Sequence, residues 1–207
     1  MKRLPSHFYA IVDPAGGHEP VALAKTLLDA GVRIMQLRLK NATARDFLSA
    51  ARAIASLCEA HEAMLIVNDR VDVAKLAGAA GVHLGQEDLP LREARQILGP
   101  DKLIGISTHT VEQALAAARG GADYIGFGAI YRGGLKNVQN PRGLELLRQV
   151  RTAVDLPIVA IGGITESTVG EVLAAGADAV AIISDVVFAA DIKAKVRSIL
   201  SRAGAAS

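Results

Sequence analysis

The chain has 207 residues, 51% of them hydrophobic, which is enough to bury one sizeable core. Its 23 basic and 21 acidic residues give a formal net charge of +2, so the composition favours neither nucleic acid nor a membrane surface as a partner. The single cysteine, Cys58, cannot form an internal disulfide, which favours a reducing compartment and predicts a cytoplasmic protein.

Strand and helix patterns alternate along the chain. The apolar run near the N-terminus is too short for a signal peptide or a membrane-spanning helix, and it predicts a first strand. Short apolar runs typical of buried parallel strands then alternate with segments of helical periodicity. The predicted strands are 8–12, 34–39, 64–67, 82–84, 103–107, 124–130, 157–161 and 179–183.

About eight strand-helix units in a row fit two architectures, a closed (β/α)8 barrel and an open doubly wound sheet. The number of units favours the barrel, and no GxGxxG motif follows the first strand to indicate a dinucleotide fold. A small-residue phrase precedes several strands, as in Gly121-Ala122-Asp123 and Gly176-Ala177-Asp178, which indicates that one unit is repeated. We therefore predict an α/β protein, a single compact TIM barrel over residues 1–207, with its active site at the carboxyl ends of the strands.

Two acidic residues follow neighbouring predicted strands. Asp69 comes directly after Asn68 at the end of the third strand, and Asp88 closes the phrase Gly85-Gln86-Glu87-Asp88 after the fourth. If the strands lie side by side, the two carboxylates emerge from one edge and form half a site for a hard cation such as Mg²⁺, whose other ligands would be water and phosphate. In the alternative interpretation, each aspartate caps the helix that follows it.

The other strand ends are also polar. Gln36, Arg38 and Lys40 alternate onto one face of the second strand, where polar groups are costly unless something polar meets them. Carboxylates that face cations suggest a site for a metal-bound polyphosphate, and a glycine pair after the seventh strand suggests a second phosphate pocket. Further candidates at the remaining strand ends are Asn68, Ser107, Lys136, Gly163 and Ser184.

Five motifs in this order resemble the thiamine phosphate synthase family over nearly the whole chain. They are Gln36-Leu37-Arg38-x-Lys40, Asn68-Asp69, His83-Leu84-Gly85-Gln86-Glu87-Asp88, Ser107-Thr108-His109-Thr110 and Gly162-Gly163-Ile164. The resemblance implies a (β/α)8 barrel and a transferase of thiamine biosynthesis. Such an enzyme joins hydroxymethylpyrimidine pyrophosphate to thiazole phosphate, giving thiamine phosphate and pyrophosphate.

The resemblance also implies site residues and partners. Asp69 and Asp88 would hold Mg²⁺ as the cofactor. The implied ligands of the pyrimidine pyrophosphate are Gln36, Arg38, Lys40, Asn68, Ser107 and Lys136, of which Arg38, Lys40, Ser107 and Lys136 are the expected catalytic residues. Gly163, Ile183 and Ser184 would take the thiazole phosphate. The expected partners are phosphorylated small molecules, with no nucleic acid, no membrane, and the question of a homo-oligomer left open.

The chain departs from the family pattern after the sixth strand. The family usually reads Pro-Thr-x-Thr-Lys there, whereas Arg132-Gly133-Gly134-Leu135-Lys136 keeps the lysine and lacks both hydroxyls. Two alternative functions are therefore kept, a thiazole tautomerase-like isomerase of the same barrel family and a non-catalytic phosphate-ligand-binding homologue. His109 matches the acid/base of the tautomerases or serves as a turn side chain. Retention of Asp69 and Asp88 argues against the tautomerase, which needs no metal residues.

Overall fold

The computed structural model describes residues 4–133 and 140–205. Eight parallel strands close into a barrel in chain order, because the first strand pairs with both the second and the last. The strands β1 to β8 are Phe8–Val12, Ile34–Leu37, Met64–Asn68, Gly81–Leu84, Leu103–Thr108, Tyr124–Gly128, Ile158–Ile161 and Ala179–Ile182. The predicted (β/α)8 barrel is confirmed, and the open doubly wound sheet is wrong.

Helices follow the strands and form the outer layer. Within the described residues, α1 to α9 are Pro20–Asp29, Ala44–Ala60, Val71–Leu76, Leu91–Leu98, Val111–Gly120, Gly143–Ala153, Val169–Ala174, Ser184–Val187 and Ile192–Ala205. Their starts are set by local chemistry: the hydroxyl of Thr43 accepts from the backbone of Asp46 at the start of α2, and Thr110 accepts from Gln113 at the start of α5. None of these helices combines the length and the apolar content needed to cross a bilayer.

Alternation along the strands divides the core into two parts. One face of each strand packs against the helices, as Met35 and Leu37 do in β2. The other face fills the barrel interior, whose apolar part comprises Tyr9, Ile11, Ile34, Ile66, Leu103, Tyr124, Val159, Ala179 and Ala181. Because side chains alternate with a period of two, Gln36 faces the same interior as Ile34 and contacts Tyr9 there.

The repeated small-residue phrase has a structural counterpart at the amino ends of the strands. Asp123 accepts hydrogen bonds from Arg95 at 2.6 Å and from the backbone N–H of Ile104 at 2.8 Å. Asp178 does the same with Arg151 at 3.0 Å and with the N–H of Ile158 at 2.8 Å. We call these two arrangements the amino-end clamps. Each joins a helix, the start of one strand and the turn before the next, so the sequence repeat reflects a repeated way of fastening the barrel.

Candidate active site

Asp69 and Asp88 meet at the carboxyl ends of β3 and β4, and neither caps a helix. The residues that precede α3 and α4 are Arg70 and Pro90, and no side chain caps either helix. The capping interpretation is therefore wrong for both carboxylates. Burial raises the pKa of Asp88, and the neighbouring carboxylate of Asp69 raises it further. We call these two residues the acidic pair.

The backbone at Asp69 is unusual for a residue with a side chain. Its φ is +62°, in the left-handed region, which aspartate tolerates better than most residues but which still costs conformational energy. The ammonium group of Lys40, from the segment after β2, contacts its carboxylate. A strained acid at a strand end, paired with a cation from the neighbouring strand, is an arrangement typical of functional sites.

The acidic pair fits a magnesium ion. Asp88 also accepts a hydrogen bond from the backbone N–H of Gly85 at 2.6 Å, which fixes the turn that carries it. In the part of the chain that the structure describes, no group of three or more His, Cys, Asp or Glu side chains could hold a metal. Two carboxylates nevertheless suit Mg²⁺, which is usually bound through one or two carboxylates and completed by water and substrate phosphates. A divalent cation would also relieve the repulsion within the pair.

Arg38 follows β2 and contacts an acid that the sequence analysis did not include among the candidates at the strand ends. Its guanidinium donates to Asp13 at 2.5 Å, and Asp13 is only 4% exposed. Asp13 follows β1 directly and also accepts from the backbone of Ala15, where it caps a short 3-10 turn. The signal was present in the sequence, because Asp13 is an acid at a strand end like Asp69. The proline and glycines after it indicated only a turn.

Ser107 is connected to Gln36 through the barrel interior. The Gln36 amide donates to the Tyr9 hydroxyl at 3.1 Å, and the hydroxyls of Tyr9 and Tyr124 lie 2.9 Å apart. The Tyr124 hydroxyl is 3.1 Å from Nδ1 of His83, whose Nε2 is 2.9 Å from Oγ of Ser107. We call these five side chains the interior network. Burial lowers the pKa of His83 to about 4 and raises those of both tyrosines, so all three are neutral near pH 7.

The remaining candidates that the structure describes occupy the same end of the barrel. Asn68 is buried at the end of β3, opposite His83 of β4. Gly163 follows β7 with a φ of +68°, and an added Cβ there would lie 2.6 Å from the carbonyl oxygen of Arg132, so only glycine fits. Ile183 and Ser184 follow β8, and Ser184 begins α8. Lys136 lies outside the described residues.

His109 is held as a turn side chain in this structure. Its Nδ1 donates to the carbonyl oxygen of Gly128 at 2.7 Å, and its backbone N–H donates to the side chain of Gln113 at the same distance. The cap of α5 is Thr110 and not His109. The histidine thus ties the end of β5 to the end of β6.

The chain is similar to known proteins over nearly its whole length. The model of the thiamine monophosphate synthase family matches residues 8–186. A thiamine-phosphate synthase of Methanoculleus marisnigri is 48% identical over 191 residues, covering 92% of this chain and 90% of that protein. That of Methanospirillum hungatei is 46% identical over 192 residues, covering 91% and 93%. The structure of thiamine phosphate pyrophosphorylase from Pyrococcus furiosus matches with a TM-score of 0.88 and 35% identity, covering 96% of each chain.

Proposed function

The chain belongs to the thiamine monophosphate synthase family, and we propose that the side chains at the carboxyl ends of its strands carry out the synthesis of thiamine phosphate. The enzyme is a transferase that acts on phosphorylated small molecules. Its reaction condenses hydroxymethylpyrimidine pyrophosphate with thiazole phosphate. The observation that carries the proposal is the acidic pair beside Lys40, because two carboxylates and a cation together suit a metal-bound pyrophosphate.

The pyrimidine pyrophosphate binds on the side of the barrel formed by β2 to β5. Arg38 is oriented by Asp13, and the contact uses one of its five N–H donors, which leaves others for phosphate oxygens. Lys40 and, by the family match, Lys136 add point charges, while Gln36, Asn68 and Ser107 supply neutral polar contacts. Cationic side chains for the anionic pyrophosphate and neutral polar side chains for the uncharged ring together suit this ligand.

The reaction needs stabilisation of a departing anion more than it needs a protein nucleophile. The bond from the pyrimidine methylene carbon to pyrophosphate breaks with both electrons leaving on oxygen, and the thiazole nitrogen then forms the new carbon–nitrogen bond. Arg38 and Lys40 stabilise the charge that develops on pyrophosphate. Asp69 and Asp88 would hold Mg²⁺, which supplies further positive charge to the leaving group. Cys58, buried in the helix layer, takes no part.

The thiazole phosphate binds at the ends of β7 and β8. Gly163 lets the turn after β7 pack closely against the backbone carbonyls of Tyr131 and Arg132, and Ile183 with Ser184 lies on the neighbouring strand end. None of Gly163, Ile183 and Ser184 is charged, so backbone N–H groups and the serine hydroxyl would hold the single phosphate. The two substrates thus occupy opposite sides of one barrel mouth, with cations concentrated on the pyrophosphate side.

Two rival functions make different predictions. A tautomerase would rely on His109 and would need no metal ligands, whereas this chain keeps the acidic pair beside Lys40. A non-catalytic binder would have no use for the like-charge repulsion of the acidic pair, which is costly without a cation. Both observations favour the synthase.

A coupled assay of pyrophosphate release tests the proposal. With both substrates and Mg²⁺ present, the enzyme should release one pyrophosphate for each thiamine phosphate formed. Omission of the thiazole phosphate should abolish thiamine phosphate formation, and removal of the metal with a chelator should abolish turnover. Tight binding of both substrates without pyrophosphate release would contradict the proposed function in favour of the non-catalytic binder.

A further inference from the structure

The interior network crosses the whole barrel below the active site. Its members come from five strands: Tyr9 from β1, Gln36 from β2, His83 from β4, Ser107 from β5 and Tyr124 from β6. Four of them, Tyr9, Tyr124, His83 and Gln36, are buried. The two tyrosines are each 1% exposed and lie too deep to be proposed as ligands, and both ring nitrogens of His83 are within hydrogen-bond distance of network hydroxyls. Ser107 is the partly exposed end, at the rim. The network therefore links a buried set of polar groups to a residue that we place in the substrate site.

The barrel makes room for this network at two glycines. A Cβ at Gly105, directly opposite Tyr124 in the sheet, would lie 2.1 Å from the Cζ atom of that ring. A Cβ at Gly126 would lie 2.9 Å from Cε1 of His83. Phenylalanine in place of the tyrosines would fill the same interior without polar atoms. A tyrosine hydroxyl buried there would be destabilising unless it were hydrogen bonded. Tyr124 and His83 thus occupy space that the backbone leaves free at Gly105 and Gly126.

The hydrogen bonds of the network run in one direction. The Gln36 amide nitrogen has only hydrogens to give, so the Tyr9 oxygen accepts from it. The distances of 2.9 Å and 3.1 Å allow either atom of the next two pairs to donate. Because Tyr9 accepts from Gln36, only one direction gives every hydroxyl hydrogen an acceptor within the network: Tyr9 donates to Tyr124, and Tyr124 donates to Nδ1 of His83. Among the described residues, His83 is hydrogen bonded to two hydroxyls and to no carboxylate. Burial lowers its pKa to about 4, so its imidazole is neutral, with one donor and one acceptor. Since Nδ1 accepts, Nε2 carries the hydrogen and donates it to Ser107.

We propose that the interior network holds the Ser107 hydroxyl as an outward-facing donor. Because Oγ already accepts from His83, the hydroxyl hydrogen of Ser107 points to the barrel mouth, where an acceptor atom of the pyrimidine pyrophosphate lies. The reverse direction would have Ser107 donate to His83 and present only lone pairs to an anionic ligand. Tyr9, Tyr124 and His83 are therefore positioning residues for the substrate. The inference rests on the proposed function only in naming the ligand, since the direction of the network is a property of the free protein.

Nitrogen NMR of the protein labelled with ¹⁵N-histidine tests the direction without any substrate. The chain has five histidines, and the His83 signals are those lost in His83→Asn. At pH 7 the ligand-free protein should show His83 as the neutral tautomer with hydrogen on Nε2 and an unprotonated Nδ1. Hydrogen on Nδ1 would overturn the proposal even in an enzyme with full synthase activity. Conversely, failure of the wild type to release pyrophosphate would overturn the proposed function and leave this reading intact.

Two matched variants separate positioning from a merely structural role. Tyr124→Phe removes the group that donates to Nδ1, so His83 should become a mixture of tautomers. The KM for the pyrimidine pyrophosphate should then rise roughly threefold, because only part of the protein presents the Ser107 donor, and the KM for thiazole phosphate should stay unchanged. Thr108→Val also removes a fully buried hydroxyl, one that donates to the Gly126 carbonyl outside the network. It should lower the melting temperature but leave the tautomer and both KM values unchanged. Equal effects of the two variants on KM, or an unchanged tautomer in Tyr124→Phe, would overturn the proposal.

Discussion

The two ends of the barrel use aspartate in opposite ways. At the amino ends of the strands, each clamp aspartate accepts from an arginine and from a backbone N–H, so its charge is matched within the protein. At the carboxyl ends, Asp69 and Asp88 face each other, and the pKa of Asp88 is raised by burial and by its neighbour. The clamps are complete without a ligand, whereas the acidic pair carries a repulsion that a cation would relieve.

This difference follows from what each end must do. A charge that is fully paired by the protein stabilises the fold but has little left to offer a substrate. A charge that is held in a strained or repulsive setting costs folding energy and contributes to binding when its partner arrives. The left-handed backbone of Asp69 is consistent with such a cost. Residue type alone therefore does not separate stability from function in this barrel, but position along the strand does.

The largest expected effect comes from removing one charge of the acidic pair. In Asp69→Asn, turnover should fall about a thousandfold, since loss of a metal ligand removes several kcal/mol of transition-state stabilisation. Stability should change by less than about 1 kcal/mol, because asparagine tolerates a left-handed φ and the lost contact with Lys40 is exposed. Pyrophosphate release and urea unfolding measure the two effects. Substantial turnover at saturating Mg²⁺ would remove Asp69 from the metal site.

Arg38 combines the properties of the two ends of the barrel. It is a proposed substrate ligand, and its charge is also paired with a buried acid of the protein. In Arg38→Ala, binding of the pyrimidine pyrophosphate should weaken about a hundredfold, with thiazole phosphate binding unchanged. Stability should also fall by about 3 kcal/mol, because Asp13 is left buried without its cation. Calorimetry with each ligand and urea unfolding measure these quantities.

A double variant separates the two roles of Arg38. Adding Asp13→Asn to Arg38→Ala removes the stranded carboxylate but keeps an oxygen that can accept from Ala15. Stability should then largely recover, while the pyrophosphate affinity stays low. Recovery of the affinity together with the stability would show that Arg38→Ala had acted through the fold and would argue against a direct contact with pyrophosphate.

The parts of the site that the sequence predicts are those with a local signal. Alternation along β2 places Gln36 on the interior face, as its contact with Tyr9 confirms. The position of Asp69 and Asp88 after neighbouring strands predicts that they meet, because parallel strands deliver their carboxyl ends to one rim. Each of these predictions needs only the strand boundaries and the order of the strands. Their roles as ligands remain proposals.

The parts that the sequence does not predict depend on closure of the barrel. Tyr9 and Tyr124 are 115 residues apart and sit in runs that read as ordinary apolar strands. Their hydroxyls meet only because the strands close into a barrel with a particular register, which the periodicity of a single strand does not specify. His83 is similar, since its two partners come from different strands. A buried network of this kind becomes visible only when the register is known.

The smallest effects on turnover and substrate binding are expected at the amino-end clamps, whose variants should change stability instead, and to different extents. The side chain of Asp123 is 15% exposed and that of Asp178 is 47% exposed, although each makes the same two kinds of hydrogen bond. Asp123→Ala should lower the free energy of unfolding by about 3 kcal/mol, because it leaves Arg95 and a strand N–H without this acceptor in a sheltered place. Asp178→Ala should cost about 1 kcal/mol, since water replaces the lost acceptor.

The clamp variants also test the separation between the two ends of the barrel. Asp123→Asn keeps an oxygen for the N–H of Ile104 and loses only the charge, so it should recover about half of the stability lost in Asp123→Ala. In all three clamp variants the kcat and both KM values should match those of the wild type below the melting temperature. Urea unfolding and steady-state kinetics on the same preparations give both quantities. A clamp variant with normal stability and reduced turnover would contradict the assignment of stability to the amino ends and function to the carboxyl ends. A charge paired at the amino end would then be affecting the chemistry at the opposite end.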